Sequence, residues 1–226
     1  MKTIGIIGGT SWYSTADFYQ YINKAVERRL GGNNCAKLVL ANVNLQEILD
    51  AKTKEEKGDI LSRAAKILDN AHCDYIMICS NGLHEYADRV LETVHIPLIH
   101  IADSLAYALL KDNVHCVGLL GAKDTMEADF YVDKLTARGI QVLIPELKDR
   151  DFMDHALFQE ITRGQIRDST KARFYEISNA LAQRGAEAII MGCTEIGEIM
   201  CPEETELKLY DTTQIQAEAM ADLCVS

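Results

Sequence analysis

The chain has 226 residues, 48% of them hydrophobic and 25% charged, enough for one large domain or two compact lobes with a substantial core. A formal net charge of -11 argues against general affinity for nucleic acid or anionic membranes and leaves small anions as possible ligands. No apolar run approaches the roughly 20 residues that span a bilayer, and "TIGIIGG" is too short and glycine-interrupted for an export signal, so a cytoplasmic location is expected.

Strand-like runs fall at 3–9, 37–43, 74–80, 115–121, 140–145 and 186–193. Between them, amphipathic or alanine- and charge-rich segments at 14–30, 55–70, 83–93, 102–111, 125–138 and 170–184 predict helices. Alternation of helices with nearly continuous apolar strands is the pattern of parallel sheets covered on both faces. The seven cysteines, at 35, 73, 79, 116, 193, 201 and 224, form no CxxC pair, and an odd number without an export signal predicts free, mostly buried thiols.

The chain also resembles itself. "KTIGIIGG" from Lys2 lies over "HCVGLLGA" from His115, and "HCDYIMICSN" from His72 lies over "GAEAIIMGCT" from Gly185, both at an offset of 113. This predicts an α/β fold of two pseudo-symmetric three-layer lobes with mainly parallel sheets and a cleft between them. The expected lobes are 1–97 and 98–209, with 210–226 packing back on the first.

In that register Ser80 matches Cys193, whereas Cys79 matches Gly192. Side chains alternate along a strand, so Cys79 is expected in the core, with Ser80 and Cys193 at the strand ends where open α/β sheets receive ligands. After Ser80, "NGLH" reads as a helix start: Ser80 or Asn81 as cap, Gly82 as a turn, and His84 in the first turn at the surface or beneath the site. Leu83, Ala87, Val90, Leu91 and Val94 would then form the core-facing stripe. "GCTE" at 192–195 ends the other strand, with Thr194 able to cap or to bind a carboxylate and Glu195 suited to a substrate ammonium. A helix start would lower the Cys193 pKa, and the Glu195 charge would oppose that.

The glycine-rich "GIIGGTSW" carries Thr10 but matches neither GxGxxG nor GxxxxGK[ST], which favours a small anion over a nucleotide. Its second-lobe counterpart supplies Thr125, as a helix cap or as a substrate contact. No HExxH, calcium-loop or clustered Cys/His pattern is present, so no metal is expected, and Ser80 lacks the GxSxG setting of a nucleophile elbow.

Over essentially its whole length the sequence resembles the aspartate/glutamate racemase family, through "IGIIGGTSWYST", "VNLQEI", "CSNGLHEYAD", "IPLIHIADS", "VGLLGAKDTMEADFY" and "GAEAIIMGCTEI". The resemblance implies two lobes, frequent homodimers, no cofactor, and two cysteines that exchange the α-proton on opposite faces of a small acidic amino acid. It makes Cys193 and Ser80 the catalytic positions, with Thr10, Asn81, Gly82, Thr125, Thr194 and Glu195 around the substrate and His84 in support. The family's first motif is usually Cys-Asn-Thr followed by His; here Ser80 replaces the thiol and Gly82 a carboxylate-binding hydroxyl. The expected function is therefore a racemase or epimerase of aspartate or glutamate type. A single-thiol lyase or decarboxylase, and an inactive binder of a small carboxylate, are the alternatives.

Overall fold

The computed structural model describes residues 1–226. The chain runs β1 (Thr3–Gly8), α1 (Trp12–Leu30), β2 (Lys37–Asn42), α2 (Leu45–Asp50), α3 (Lys54–Asn70) and β3 (Tyr75–Ile78). A 3-10 turn (Gly82–Tyr86), α4 (Ala87–Leu91), α5 (Ile101–Lys111), β4 (Cys116–Leu120), α6 (Lys123–Glu127), α7 (Asp129–Thr136) and β5 (Gln141–Leu143) follow. The last part holds α8 (Leu147–Gln159), a 3-10 turn (Ile161–Arg163), α9 (Asp168–Gln183) and β6 (Ala188–Met191), then 3-10 turns at Thr194–Glu198 and Pro202–Glu204, β7 (Lys208–Asp211) and α10 (Thr212–Val225). Two compact units result, one of residues 1–104 with 213–226 and one of residues 105–212.

In the first unit the strand order is β2-β1-β3, all parallel. Alternation sorts the side chains into two layers. Ile4, Ile6, Met77 and Cys79 pack with Phe18 and Ile22 of α1 and Ala217 and Met220 of α10, while Ile7, Ile76 and Ile78 pack with Leu61 and Leu68 of α3 and Val90 of α4. Local signals fix the two long helices. Ser11 accepts the Ser14 N–H at 3.3 Å to cap α1, and Thr53 with Glu56 forms a capping box on α3. The C-terminal helix is held to the same unit by Arg29, 2.7 Å from Asp222, and by the Lys2 N–H, which donates to the Cys224 carbonyl at 2.8 Å.

In the second unit the order is β5-β4-β6-β7, again all parallel. Its central ladder repeats that of the first unit residue for residue. Ile4, Gly5, Ile6 and Ile7 pair with Tyr75, Ile76, Met77 and Ile78. Adding 113 to each number gives Val117, Gly118, Leu119 and Leu120 paired with Ala188, Ile189, Ile190 and Met191, the pairs observed. The approach to the inner strand repeats too, since the Cys73 N–H bonds to the Leu68 carbonyl and the Ala186 N–H to the Leu181 carbonyl. Even the positive φ of His72, 56°, recurs at Gly185, 106°.

The repeat extends to packing. A Cβ at Gly5 would lie 2.9 Å from Ile76 Cγ2 and 3.1 Å from Leu68 Cβ; one at Gly118 would lie 2.8 Å from Ile189 Cδ1 and 3.2 Å from Leu181 Cβ. Each glycine lets one helix lie directly on its strand. Gly118→Ala is therefore expected to cost about 1–3 kcal/mol through overpacking, read as a lower denaturant midpoint with the slope unchanged.

The structure corrects several local expectations. The helix predicted over 83–93 is a 3-10 turn followed by the short α4, and Leu91 is exposed while Ala87, Val90 and Val94 are buried. The helix predicted over 125–138 breaks at Ala128, whose backbone is extended. Helix α8 and strand β7 carry no counterpart among the predicted elements. In α8 charged residues are spread around the axis, which hides the periodicity that reveals an amphipathic helix.

Candidate functional site

Within the first unit, the C-terminal ends of β1 and β3 gather four of the residues singled out in the sequence. The Cys79 N–H still joins the ladder, donating to the Ile7 carbonyl at 2.9 Å, so alternation persists one residue beyond β3. Cys79 is buried, and burial pushes its thiol pKa far above the ordinary range, as befits a core residue. Ser80, the next residue, is half-buried. Thr10 reaches the same strand end, its hydroxyl donating to the Cys79 carbonyl at 3.4 Å.

His84 lies beneath Ser80 and is buried. Its Nδ1 is 2.7 Å from the Ser80 carbonyl oxygen, which can only accept, so Nδ1 carries the proton. The His84 ring packs against that of His100, centroids 4.6 Å apart. His100 Nδ1 in turn accepts the Ala102 N–H at 3.1 Å and caps α5, which puts the His100 proton on Nε2. His100 was quoted in the sequence only within "IPLIHIADS"; a histidine directly before an apolar helical run was the signal for it.

The cap expected of Asn81 fails at this strand end. Asn81 stands at the cap position with helical backbone angles and makes no side-chain cap hydrogen bond, because a 3-10 turn follows in place of an α-helix. That turn spans only Gly82–Tyr86, so the field of a long helix is not available to an anion. In the glycine-rich loop, the Gly9 N–H is engaged by the Thr15 hydroxyl at 2.9 Å, which removes one donor from the small-anion reading.

Within the second unit, Gly192 donates its N–H to the Leu120 carbonyl at 2.7 Å, and Cys193 follows at the end of β6. One oxygen of Glu195, Oε2, accepts both the Cys193 thiol at 2.9 Å and the Thr194 hydroxyl at 2.7 Å. Thr125 is buried beside two glycines: a Cβ on Gly121 would lie 3.6 Å from Thr125 Cβ, and one on Gly192 3.8 Å from Thr125 Cγ2. Thr125 is the third residue of α6 and not its cap, a position taken by Ala122.

The electrostatics of Cys193 run opposite to the lowering expected from a helix start. The residue keeps some exposed surface, yet burial of its sulfur is the largest influence and the Glu195 carboxylate the next, and both raise the thiol pKa well above its ordinary value. The element that follows is a five-residue 3-10 turn, and the nearest charge is negative. At neutral pH the thiol is protonated. Asp154, on α8, adds further negative potential and went unnoticed in the sequence because α8 itself did.

Surface depressions beside Arg173 and beside Cys35 are lined by residues of neither strand end. No three His, Cys, Asp or Glu side chains are grouped as a metal site, and no helix is long and apolar enough to cross a membrane.

Residues 7–220 match the family of Asp/Glu/hydantoin racemases. The chain belongs to this family. Its fold superposes on that of a protein from Yersinia pestis assigned to the Asp/Glu racemases with a TM-score of 0.95, at 36% identity and with 100% of both chains covered. An aspartate racemase homologue from Pyrococcus horikoshii OT3 gives 0.88 at 29% identity, again over 100% of both chains. The broad specificity amino-acid racemase RacX of Bacillus subtilis (strain 168) is 21% identical over 224 residues, 96% of this chain and 95% of RacX. Membership of the Asp/Glu/hydantoin racemases carries a family-level function of racemase type on a small acidic substrate, within a superfamily that works without pyridoxal phosphate.

Proposed function

We propose that the chain is a cofactor-independent racemase or epimerase of a small acidic amino acid, aspartate or glutamate, with Cys193 as principal acid/base and Ser80 in place of the usual first cysteine. The observation that carries this reading is the equivalence of Ser80 and Cys193, each the second residue after a strand of one repeated ladder. It lies within a family match that covers both halves of the chain.

The chemistry follows from the two side chains. Cys193 rests as a thiol on Glu195 Oε2; once the substrate ammonium offsets that carboxylate, the thiol gives its proton to solvent, the thiolate takes the substrate α-proton, and the electron pair of the C–H bond moves into the α-carboxylate as an enediolate. Thr10, Asn81, Thr125 and Thr194 supply hydrogen bonds to the substrate carboxylates, and Glu195 a counter-charge for the ammonium. Gly82 leaves out a hydroxyl that the family's usual threonine provides. His84 holds the main chain of Ser80 from below.

Ser80 acts on the other α-face. As a neutral hydroxyl it donates a proton, directly or through water, but it is a poor acceptor at neutral pH. The two directions are therefore unequal. The enantiomer whose α-hydrogen faces Cys193 exchanges that hydrogen with solvent, and inversion lags behind exchange by about 10²-fold or more, the usual contribution of a positioned acid or base. In deuterated water, separate L- and D-aspartate and glutamate samples are expected to show α-deuterium in one enantiomer of a pair long before the other; absence of deuterium from every sample would rule the proposal out.

The protonated state of Cys193 also suits a second reading. A lyase or decarboxylase needs one thiol to protonate one face of an enediolate, and leaves Ser80 without acid/base work. Release of carbon dioxide from a small dicarboxylate, with no deuterium entering any amino acid, separates this reading from the first.

A further inference from the structure

Helix α8 places a carboxylate where α6 begins. The Lys123 N–H, first in α6, donates to Asp154 Oδ1 at 2.9 Å, while the cap residue Ala122 has no side chain for that purpose. Asp154 thus serves as a cap supplied from another element. The same two helices are joined by Lys123 Nζ to Asp151 at 2.6 Å and by Arg150 to Glu127 at 2.6 Å. What α6 carries is Thr125, buried against Gly121 and Gly192, one residue before Cys193.

We infer that Asp154 is a positioning residue of the Cys193 half-site: it docks α6 so that Thr125 stays against Gly121 and Gly192, the residue before the thiol. The inference rests on the reading of Cys193 as the acid/base, and deepens it by assigning the arrangement around the thiol to a helix outside the sequence motifs. Glu195 lies on the turn of Cys193 itself and Asp154 on α8. On α6, Lys123 is engaged by Asp151 and Glu127 by Arg150, and Asp124 is exposed. Arg163, in the 3-10 turn after α8, is exposed, and Asp211 of β7 comes within 4.0 Å of where a Cβ on Gly197 would stand.

Two variants separate the hydrogen bond from the charge of Asp154. Asp154→Asn keeps an oxygen acceptor for the Lys123 N–H and removes the charge; Asp154→Ala removes both. In the intact chain, iodoacetamide alkylation of Cys193, followed by mass spectrometry of its peptide, reads the setting of the thiol, and hydrogen exchange of amides 122–127 reads the docking. Asp154→Ala is expected to alkylate at Cys193 roughly three- to tenfold faster than wild type, because loosening α6 frees Thr125 from the Gly192 backbone beside the thiol, and Asp154→Asn at about the wild-type rate. Asp154→Ala alone is expected to exchange the α6 amides faster, with Asp154→Asn restoring wild-type protection. Unchanged Cys193 alkylation or unchanged α6 exchange in Asp154→Ala would overturn the inference. Neither readout needs turnover, so loss of the racemase reading shows separately, as wild-type protein that moves no α-proton.

Discussion

Ser80→Cys is expected to raise the rate of inversion of aspartate or glutamate by about 10² to 10⁴-fold, the range over which a positioned acid or base acts. The reason is the proton affinity of the group. A serine hydroxyl does not ionise near neutrality, whereas an ordinary thiol, with a pKa of about 8.5, is partly thiolate there. The substitution changes one atom at a half-buried position. The backbone it rests on is fixed independently, by the His84 Nδ1–H on its own carbonyl and by the Cys79 N–H on the Ile7 carbonyl. Cys79 is buried in the layer facing α1 and α10, one residue out of phase with the new thiol. Chiral chromatography of both enantiomers over time reads the effect. Exchange at the Cys193 face is expected to change little, so the gain is specific to inversion; a Ser80→Cys protein that inverts no faster than wild type would remove Ser80 from the mechanism.

Cys193→Ala is expected to abolish α-proton exchange as well as inversion, by at least about 10²-fold, because no other group at the end of β6 can replace the thiol. Glu195 remains, but its Oε2 is bonded to the Thr194 hydroxyl, and a carboxylate is a far weaker base than a thiolate. Global stability should move by no more than about 1 kcal/mol: the residue is partly exposed, and the one thiol hydrogen bond lost leaves Glu195 Oε2 still bonded to the Thr194 hydroxyl. Exchange measured by proton NMR in deuterated water, beside a denaturant titration of the same sample, tests both statements. Retained exchange in a folded Cys193→Ala protein would move the acid/base elsewhere.

Much of this was legible in the sequence because a parallel α/β ladder writes itself in apolar runs and glycines. The offset of 113 that aligns "TIGIIGG" with its later counterpart is the offset at which Gly5 and Gly118 each admit one helix leucine, Leu68 and Leu181. The choice of Ser80 over Cys79 followed from strand alternation, which holds through Cys79 since its N–H remains in the ladder. What the sequence hid depends on three-dimensional neighbours. Nothing local announces that the residues after Ser80 and Cys193 form 3-10 turns, so the cap assigned to Asn81 did not materialise, and α6 starts two residues before Thr125, which is therefore not its cap. The sign of the Cys193 shift was open until burial of the sulfur and the 2.9 Å contact with Glu195 were in view. Asp154 was beyond reach, because it matters only through a helix whose charges mask its apolar face.

The central claim is that Cys193 and Ser80 are unequal partners, one an acid/base and the other a proton donor. The most direct measurement is the ratio of α-deuterium incorporation to inversion, taken for each enantiomer of aspartate and of glutamate in wild-type and Ser80→Cys protein side by side. The account predicts that, for one enantiomer, wild-type exchange outruns inversion by about 10²-fold or more and that the second thiol brings the two rates together. Wild-type protein that inverts both enantiomers as fast as it exchanges them would contradict it.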